Sequence, residues 1–172
     1  ETKFHDSKIV EREKTKLHLI GNLQTNKVKR AVALFGTIQS VDSVQLVTRI
    51  DRAASELNKQ ISVYIQVNVG SESTKLGINP QDIMKLVEPI SLSKNVRLEG
   101  LMTVPPHLEN PDKLRPYFTM LRNLRDSISA MNPYKTTRLE LSMGMTEDFE
   151  VAIEEGATMV RLGSAIWGTR PK

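Results

Sequence analysis

The pattern that most constrains this chain is an uninterrupted alternation between short extended segments and longer segments with helical spacing. Extended patterns predict six strands, at Leu17–Asn22, Thr37–Val41, Ser62–Val69, Val96–Val104, Arg138–Met145 and Met159–Gly168. Apolar residues at helical spacing and helix-start signals predict helices at Thr2–Val10, Gln24–Leu34, Val44–Asn58, Pro80–Leu92, Lys113–Met131 and Thr146–Glu155. Such an alternation predicts parallel strands that are joined by crossover helices.

Two parallel architectures compete for this pattern. Six units in 172 residues average about 29 residues each, close to the roughly 31 of an eight-unit barrel of ~250 residues. Six strands would also complete an open doubly wound sheet, but strands covered on both faces are apolar throughout. Here Ser62–Val69 alternates strictly between apolar and polar residues. We therefore predict an α/β fold, a parallel (β/α)8 TIM-type barrel.

The start of the sequence bears on the same prediction. The first residue is Glu1 rather than Met, and it lies just before the predicted helix Thr2–Val10. We expect residues 1–172 to form one barrel domain whose first two βα units lie upstream. Such a barrel would have two unpaired strand edges, so we expect the isolated chain to aggregate unless the upstream segment is supplied.

Composition excludes several functional classes. The chain has no Cys, which removes disulfides, thiolate zinc sites and thiol nucleophiles. No apolar run approaches ~18 residues and no leader pattern is present, so we expect a cytoplasmic protein without a membrane segment. Its 24 basic residues are interspersed with 20 acidic ones. The densest basic cluster (Lys27, Lys29 and Arg30) has no adjacent aromatic residue, so we expect no nucleic-acid partner.

The polar phase of the predicted strands places several polar and charged side chains in a shared interior. These are His18, Gln66, Asn68, Glu99, Glu140, Ser142 and Arg161. Buried charges need partners or ligands because an unpaired one costs several kcal/mol. Two explanations remain open, namely internal ion pairs of the two glutamates with Arg97 and Arg161, or a bound ligand.

Arg161 is the strongest ligand candidate because a small-residue turn, Gly163-Ser164, follows it directly. Loops after the last strands of such barrels commonly bind phosphate, and small residues let backbone N–H groups approach an anion. A second turn, Ser142-Met143-Gly144, precedes two carboxylates that would compete with a phosphate, so we expect mainly the Ser142 hydroxyl to contribute. These residues predict a pocket for a small anion.

Other catalytic and metal chemistries are not supported by the sequence. His5, His18 and His107 fall on different predicted elements without the spacing of metal ligands, so we predict no metal site. No serine lies in a G-x-S-x-G turn, and no G-x-G-x-x-G or G-x-x-x-x-G-K-[ST] motif is present. We predict no catalytic residue.

Motifs along the chain resemble one known family. Residues 18–27 read HLIGNLQTNK, which is similar to the H-x-I-G-x-L-Q-x-N-K signature of the pyridoxal phosphate homeostasis proteins (PROSC/YggS-like). Further segments that resemble the family are Asn68–Gly77, Glu99–Met102, Leu141–Met145 and Val160–Gly168. The matching segments occur in order over nearly the whole chain.

The resemblance implies an alanine-racemase-like barrel that binds pyridoxal 5'-phosphate (PLP). It implies a non-catalytic carrier or regulator in vitamin B6 homeostasis, and a monomer when complete. By this likeness Arg161 would meet the pyridine nitrogen. The phosphate would be held by Ser142, Gly163 and Ser164, with Met143 and Gly144 lining it.

One departure from the family leaves alternatives open. The family's Schiff-base lysine lies on a strand upstream of a G-E-N turn, and neither element is present, so we assign no such lysine. The chain would then bind PLP weakly and non-covalently, or not at all. A PLP-dependent amino-acid racemase is the alternative, but none of Tyr64, Tyr117 and Tyr134 is a convincing second acid or base. A third possibility is a phosphate-binding barrel that acts through protein partners.

Overall fold

Parallel strands and helices alternate through the chain. The computed structural model describes residues 15–70, 72, 76–131 and 138–168. The strands are β1 His18–Leu19, β2 Thr37–Val41, β3 Ile61–Gln66, β4 Val96–Met102, β5 Glu140–Met145 and β6 Met159–Arg161. The α-helices are α1 Val28–Leu34, α2 Val44–Glu56, α3 Met84–Leu92, α4 Arg115–Met131, α5 Phe149–Glu154 and α6 Ser164–Trp167. Short 3-10 turns lie at Thr25–Lys27, Pro80–Asp82 and Pro111–Leu114. The helix predicted at Thr2–Val10 lies outside the described residues.

The strands form one six-stranded sheet in the order β1-β2-β3-β4-β5-β6. Every neighbouring pair is parallel, as the crossover pattern of the sequence predicts. The order contains no reversal, whereas a doubly wound sheet changes direction at a switch point. The doubly wound alternative is therefore wrong.

The sheet is curled rather than flat. The Ser142 hydroxyl on β5 donates to the Gln39 amide oxygen on β2 at 2.7 Å. In a flat sheet these strands would lie about 14 Å apart, since neighbours are separated by about 4.8 Å. Gln39 also reaches Met159 on β6, with 3.1 Å between amide nitrogen and sulfur. The six strands therefore form a curled half-barrel with a polar inner face.

The outer face of the sheet carries the apolar core. Ile38, Val63 and Leu141 are fully buried in one cluster with residues of the surrounding helices. Helix α2 illustrates how the sequence achieves this, since Val47 and Ile50 lie on the same side of the helix and are 2% and 0% exposed. Burial of a side chain of this size stabilises the fold by about 1.5–3 kcal/mol. The helices thus hold the sheet from outside and leave its inner face for polar groups.

The last predicted strand differs most from the structure. The extended pattern predicts a strand over Met159–Gly168, but β6 ends at Arg161 and the chain turns into the short helix α6. Ile166 and Trp167 are 64% and 85% exposed, so no strand of the described residues buries them. The second half of the prediction is wrong because an apolar pair in a short segment does not distinguish a strand from a helical turn.

No helix within the described ranges has both the length and the apolar character needed to cross a membrane.

Candidate functional site

A cavity of about 840 Å³ lies at the carboxyl ends of β4, β5 and β6. Its walls come from the proline-rich residues 104–108 after β4, from residues 145–148 after β5 and from residues 160–164 at the end of β6. Small-molecule pockets typically measure about 300–1,000 Å³, and parallel barrels place their sites at this end of the strands. The cavity is therefore the candidate functional site.

Arg161 supplies the positive charge of this cavity. Its Nη1 donates to the Ser142 hydroxyl at 2.8 Å and its Nη2 donates to the Thr103 carbonyl oxygen at 2.7 Å. Burial lowers the pKa of Arg161, while the negative charge of Asp148 opposes this effect. Among the described residues no carboxylate lies within ion-pair distance of the guanidinium. A guanidinium has five N–H donors, so donors remain for a ligand in the cavity.

The predicted internal ion pairs do not form in the described part of the chain. The Tyr64 hydroxyl donates to the Glu140 carboxylate, so this glutamate pairs with a phenol. Burial, together with the hydrogen bond to Glu140, raises the pKa of Tyr64 well above its usual value. Arg161 binds a hydroxyl and a carbonyl oxygen instead of a glutamate. The ion-pair interpretation is therefore wrong for Glu140 and Arg161, and the arginine stays available for a ligand.

The turn after β6 offers backbone donors to the same cavity. Gly163 and Ser164 line the cavity and are exposed. A Cβ added at Gly163 would meet nothing within 4 Å, so the protein itself leaves the space beside this backbone empty. The N–H groups of Gly163 and Ala165 lie 3.4 and 3.5 Å from the Thr146 hydroxyl. These contacts are long, and a phosphate oxygen could replace them at shorter distances.

Three of the six predicted binding residues lie behind the cavity wall. Ser142 is fully buried, and its hydroxyl donates to Gln39 while accepting from Arg161. Met143 belongs to the apolar core on the helix side of the sheet. Gly144 has a φ of +94°, and a Cβ there would approach the Ala152 Cβ at 2.6 Å. The structure thus brings Arg161, Gly163 and Ser164 into the cavity. Ser142 does not line the cavity, but its hydroxyl accepts a hydrogen bond from Arg161.

Asp148 is a site residue whose role the sequence analysis missed. The pattern predicts a helix that begins at Thr146, but α5 begins at Phe149 with Asp148 in the preceding position. The Asp148 carboxylate accepts from the Met145 backbone N–H at 2.5 Å and lines the cavity near Arg161. Aspartate is common at the position before a helix because it caps the helix. The presence of Asp148 at this position in the sequence therefore does not indicate a role beside the arginine.

The comparisons with known proteins agree with this architecture. The family model described as "Alanine racemase, N-terminal domain" matches residues 8–171. A pyridoxal phosphate homeostasis protein from Aquifex aeolicus is 48% identical over 153 residues, which cover 89% of this chain and 66% of that protein. One from Synechocystis is 37% identical and covers 89% and 69%. The chain thus spans about two thirds of the length of these relatives.

Solved structures show the same fold. The structure of PipY from Synechococcus elongatus with PLP bound is 34% identical, with a TM-score of 0.79, and the match covers 89% of this chain and 70% of that one. An alanine racemase from Clostridium difficile is 17% identical with a TM-score of 0.66, and covers 94% of this chain and 42% of that one. The latter likeness shows the fold alone.

Fold and sequence together define the class of protein. The chain belongs to the alanine racemase N-terminal domain family. Within that family its relatives place it among the pyridoxal phosphate homeostasis proteins.

Proposed function

We propose that the cavity at the carboxyl ends of the strands binds PLP non-covalently, and that the chain acts in vitamin B6 homeostasis as a non-catalytic carrier or regulator. One observation carries this proposal, which is the position of the half-buried Arg161 beside the open turn at Gly163 and Ser164. A cation next to exposed backbone donors suits a phosphorylated aromatic ring. The PLP-bound relative PipY supports the same ligand.

Each end of the ligand would have partners in this cavity. Arg161 would contact the pyridine nitrogen, and Gly163 and Ser164 would hold the phosphate through backbone N–H groups and a hydroxyl. Ser142 would contribute through its hydrogen bond with Arg161, while Met143 and Gly144 would shape the backbone behind the phosphate. PLP supplies an electron sink in enzymes, and a permanent cation at the ring nitrogen opposes ring protonation and weakens that sink. This arrangement suits carriage better than carbanion chemistry.

The lining of the cavity also bears on the alternative, a PLP-dependent amino-acid racemase. Such an enzyme needs a lysine and a second acid or base at the ligand. Among the described residues, no lysine and no tyrosine lines the cavity, while His107, Glu147 and Asp148 do. The racemase is therefore the second candidate function, and the adduct and racemisation experiments below decide between the two.

The fold proposal extends beyond the six strands. We propose that they are six of the eight strands of a TIM-type barrel, which closes with two βα units that precede them, and that residues 1–172 form one domain of it. The sheet order without reversal and the side-chain contacts across the interior support this. Both edge strands, β1 and β6, are short, and Ile20 and Trp167 beside them are 52% and 85% exposed. Co-expression with the upstream segment of a relative should raise both the solubility and the melting temperature of the chain. If that segment changes neither quantity, the proposal is contradicted.

A PLP titration tests the proposed function. The chain should bind PLP saturably and bind pyridoxal, which lacks the phosphate, far more weakly. Arg161→Met should lower PLP affinity at least about tenfold, because a charge-assisted hydrogen bond contributes roughly 1.5–3 kcal/mol. The matched control is Arg49→Met on the exposed face of α2, which should bind as the original chain does.

Borohydride reduction followed by mass analysis separates the candidate functions. Non-covalent carriage predicts no reduced adduct on a lysine, whereas one specifically labelled lysine would contradict it. Racemisation of alanine by the purified chain with PLP would favour the enzyme.

A further inference from the structure

Polar side chains on the inner face of the half-barrel connect its two ends. A second cavity, of about 670 Å³, lies at the amino ends of the strands, with His18 and Met159 among its lining residues. The proposed PLP site with Arg161 lies at the opposite ends. Gln39, in the middle of β2, lies between the two cavities and is 1% exposed. The proposed function gives this buried amide no role.

The amide of Gln39 uses both of its ends. Its nitrogen lies 2.8 Å from His18 Nδ1 on β1 and 3.1 Å from the Met159 sulfur on β6. Its oxygen accepts the Ser142 hydroxyl from β5 at 2.7 Å. A thioether sulfur can only accept, so the nitrogen must face it and the oxygen must face the serine. Contacts to three other strands therefore fix the direction of this amide.

The direction of the amide determines what Ser142 can do for Arg161. A hydroxyl has one hydrogen, and Ser142 gives it to Gln39. Its lone pairs then accept from Arg161 Nη1 at 2.8 Å, while the Thr103 carbonyl accepts from Nη2 at 2.7 Å. Because the guanidinium is planar, two anchored nitrogens fix both its position and its plane.

We infer that Gln39 is a positioning residue for the ligand site, which holds the Arg161 guanidinium in place through Ser142. Without an acceptor at position 39, the Ser142 hydrogen would be free to turn towards the arginine, and one of the two anchors would be lost. The inference rests on the proposed function, because it assigns Gln39 to the ring end of the PLP site. It adds a residue that touches no ligand and acts only through others.

Gln39→Met tests this role because methionine has a similar length and no amide. It should weaken PLP binding about tenfold, the factor that corresponds to one net hydrogen bond. The affinity for inorganic phosphate should stay unchanged, since the phosphate end lies at Gly163 and Ser164. Gln39→Glu keeps an acceptor for Ser142 and should recover most of the PLP affinity. Gln45→Met, on the exposed face of α2, is the matched control and should leave both affinities unchanged.

Equal weakening of PLP and phosphate, or unchanged PLP binding by a folded Gln39→Met chain, would overturn the inference. If Gln39→Met does not fold, Gln39→Asn replaces it, because its amide is one methylene shorter and no longer reaches the Ser142 hydroxyl. Weaker PLP binding with unchanged phosphate affinity supports the inference, and unchanged PLP affinity contradicts it.

A ligand-free measurement separates this inference from the proposed function. Hydrogen exchange of the Arg161 guanidinium, followed by NMR, should be slow in the original chain and in Gln45→Met, and at least about tenfold faster in Gln39→Met, since one anchoring hydrogen bond is lost. Equal exchange rates in all three would refute the role of Gln39 even if PLP binds. Absence of PLP binding with the predicted difference in exchange would refute the proposed function and leave the role of Gln39 supported.

Discussion

Two glycines near the site should respond oppositely to the same substitution. An alanine Cβ at Gly163 would stand in open space beside the cavity, and the backbone there has a φ of −114° that alanine tolerates. An alanine Cβ at Gly144 would approach the Ala152 Cβ at 2.6 Å, at a φ of +94°. Glycine is thus required by the protein at Gly144, whereas at Gly163 only a ligand would require it.

The magnitudes follow from these contacts. At Gly144 the positive φ costs roughly 1–2 kcal/mol and the overpacking costs about 1–3 kcal/mol. The melting temperature of Gly144→Ala should therefore fall by roughly 5–15 °C in a chain of this size. Gly163→Ala should change the free energy of unfolding by less than about 1 kcal/mol, since a lost glycine cap and a stiffer unfolded chain nearly cancel.

The assay pairs thermal melting by circular dichroism with PLP titration of both variants. Gly163→Ala should have the same melting temperature as the original chain. It should bind PLP at least about tenfold more weakly, because the methyl group displaces the phosphate from its backbone donors. Unchanged PLP affinity in Gly163→Ala would refute the phosphate position. Equal losses of melting temperature in the two variants would refute the structural reasoning.

Two further predictions concern stability and its pH dependence. Tyr64→Phe removes the donor to Glu140 and should destabilise the fold by about 1–3 kcal/mol in urea unfolding at neutral pH. Because the pKa of Tyr64 is raised, its contribution to the stability of the fold is present below about pH 10 and is lost as the pH rises further. The difference in free energy of unfolding between Tyr64→Phe and the original chain should therefore shrink in alkaline solution. The hydrogen bond from Thr119 and the charge of Arg122 lower the pKa of Glu155. The contribution of Glu155 to the stability of the fold is therefore present above the usual pKa of a glutamate and is lost in acid. Glu155→Gln should accordingly lose less stability than the original chain as the pH falls below about 5. An equally steep acid transition in that variant would contradict this assignment.

Much of the fold could be predicted from the sequence because the two faces of each strand differ in chemistry. The alternation in β3 separates Val63 and Ile65, which pack on the helices, from Tyr64 and Gln66 on the other face. Helix α4 likewise buries Phe118, Leu121 and Ile128, the apolar residues that helical spacing places on one face. The end of β6 was predicted less well, because Ile166 and Trp167 are apolar yet exposed, and only the tertiary environment shows this.

The site was only partly predictable for a related reason. Arg161, Gly163 and Ser164 are neighbours in sequence, so their common position at the end of β6 follows from local order. Gln39 and Ser142 are 103 positions apart, and their hydrogen bond depends on how strongly the sheet curls. No pattern within one strand contains that curvature, so the role of Gln39 emerges only from the structure.

An NMR titration of the chain with PLP tests the central claim most directly. The account predicts saturable shifts of the Gly163 and Ser164 amide signals and of the Arg161 side chain, at one common dissociation constant. Shifts confined to residues of the amino-end cavity, or no saturable shift at millimolar PLP, would contradict it.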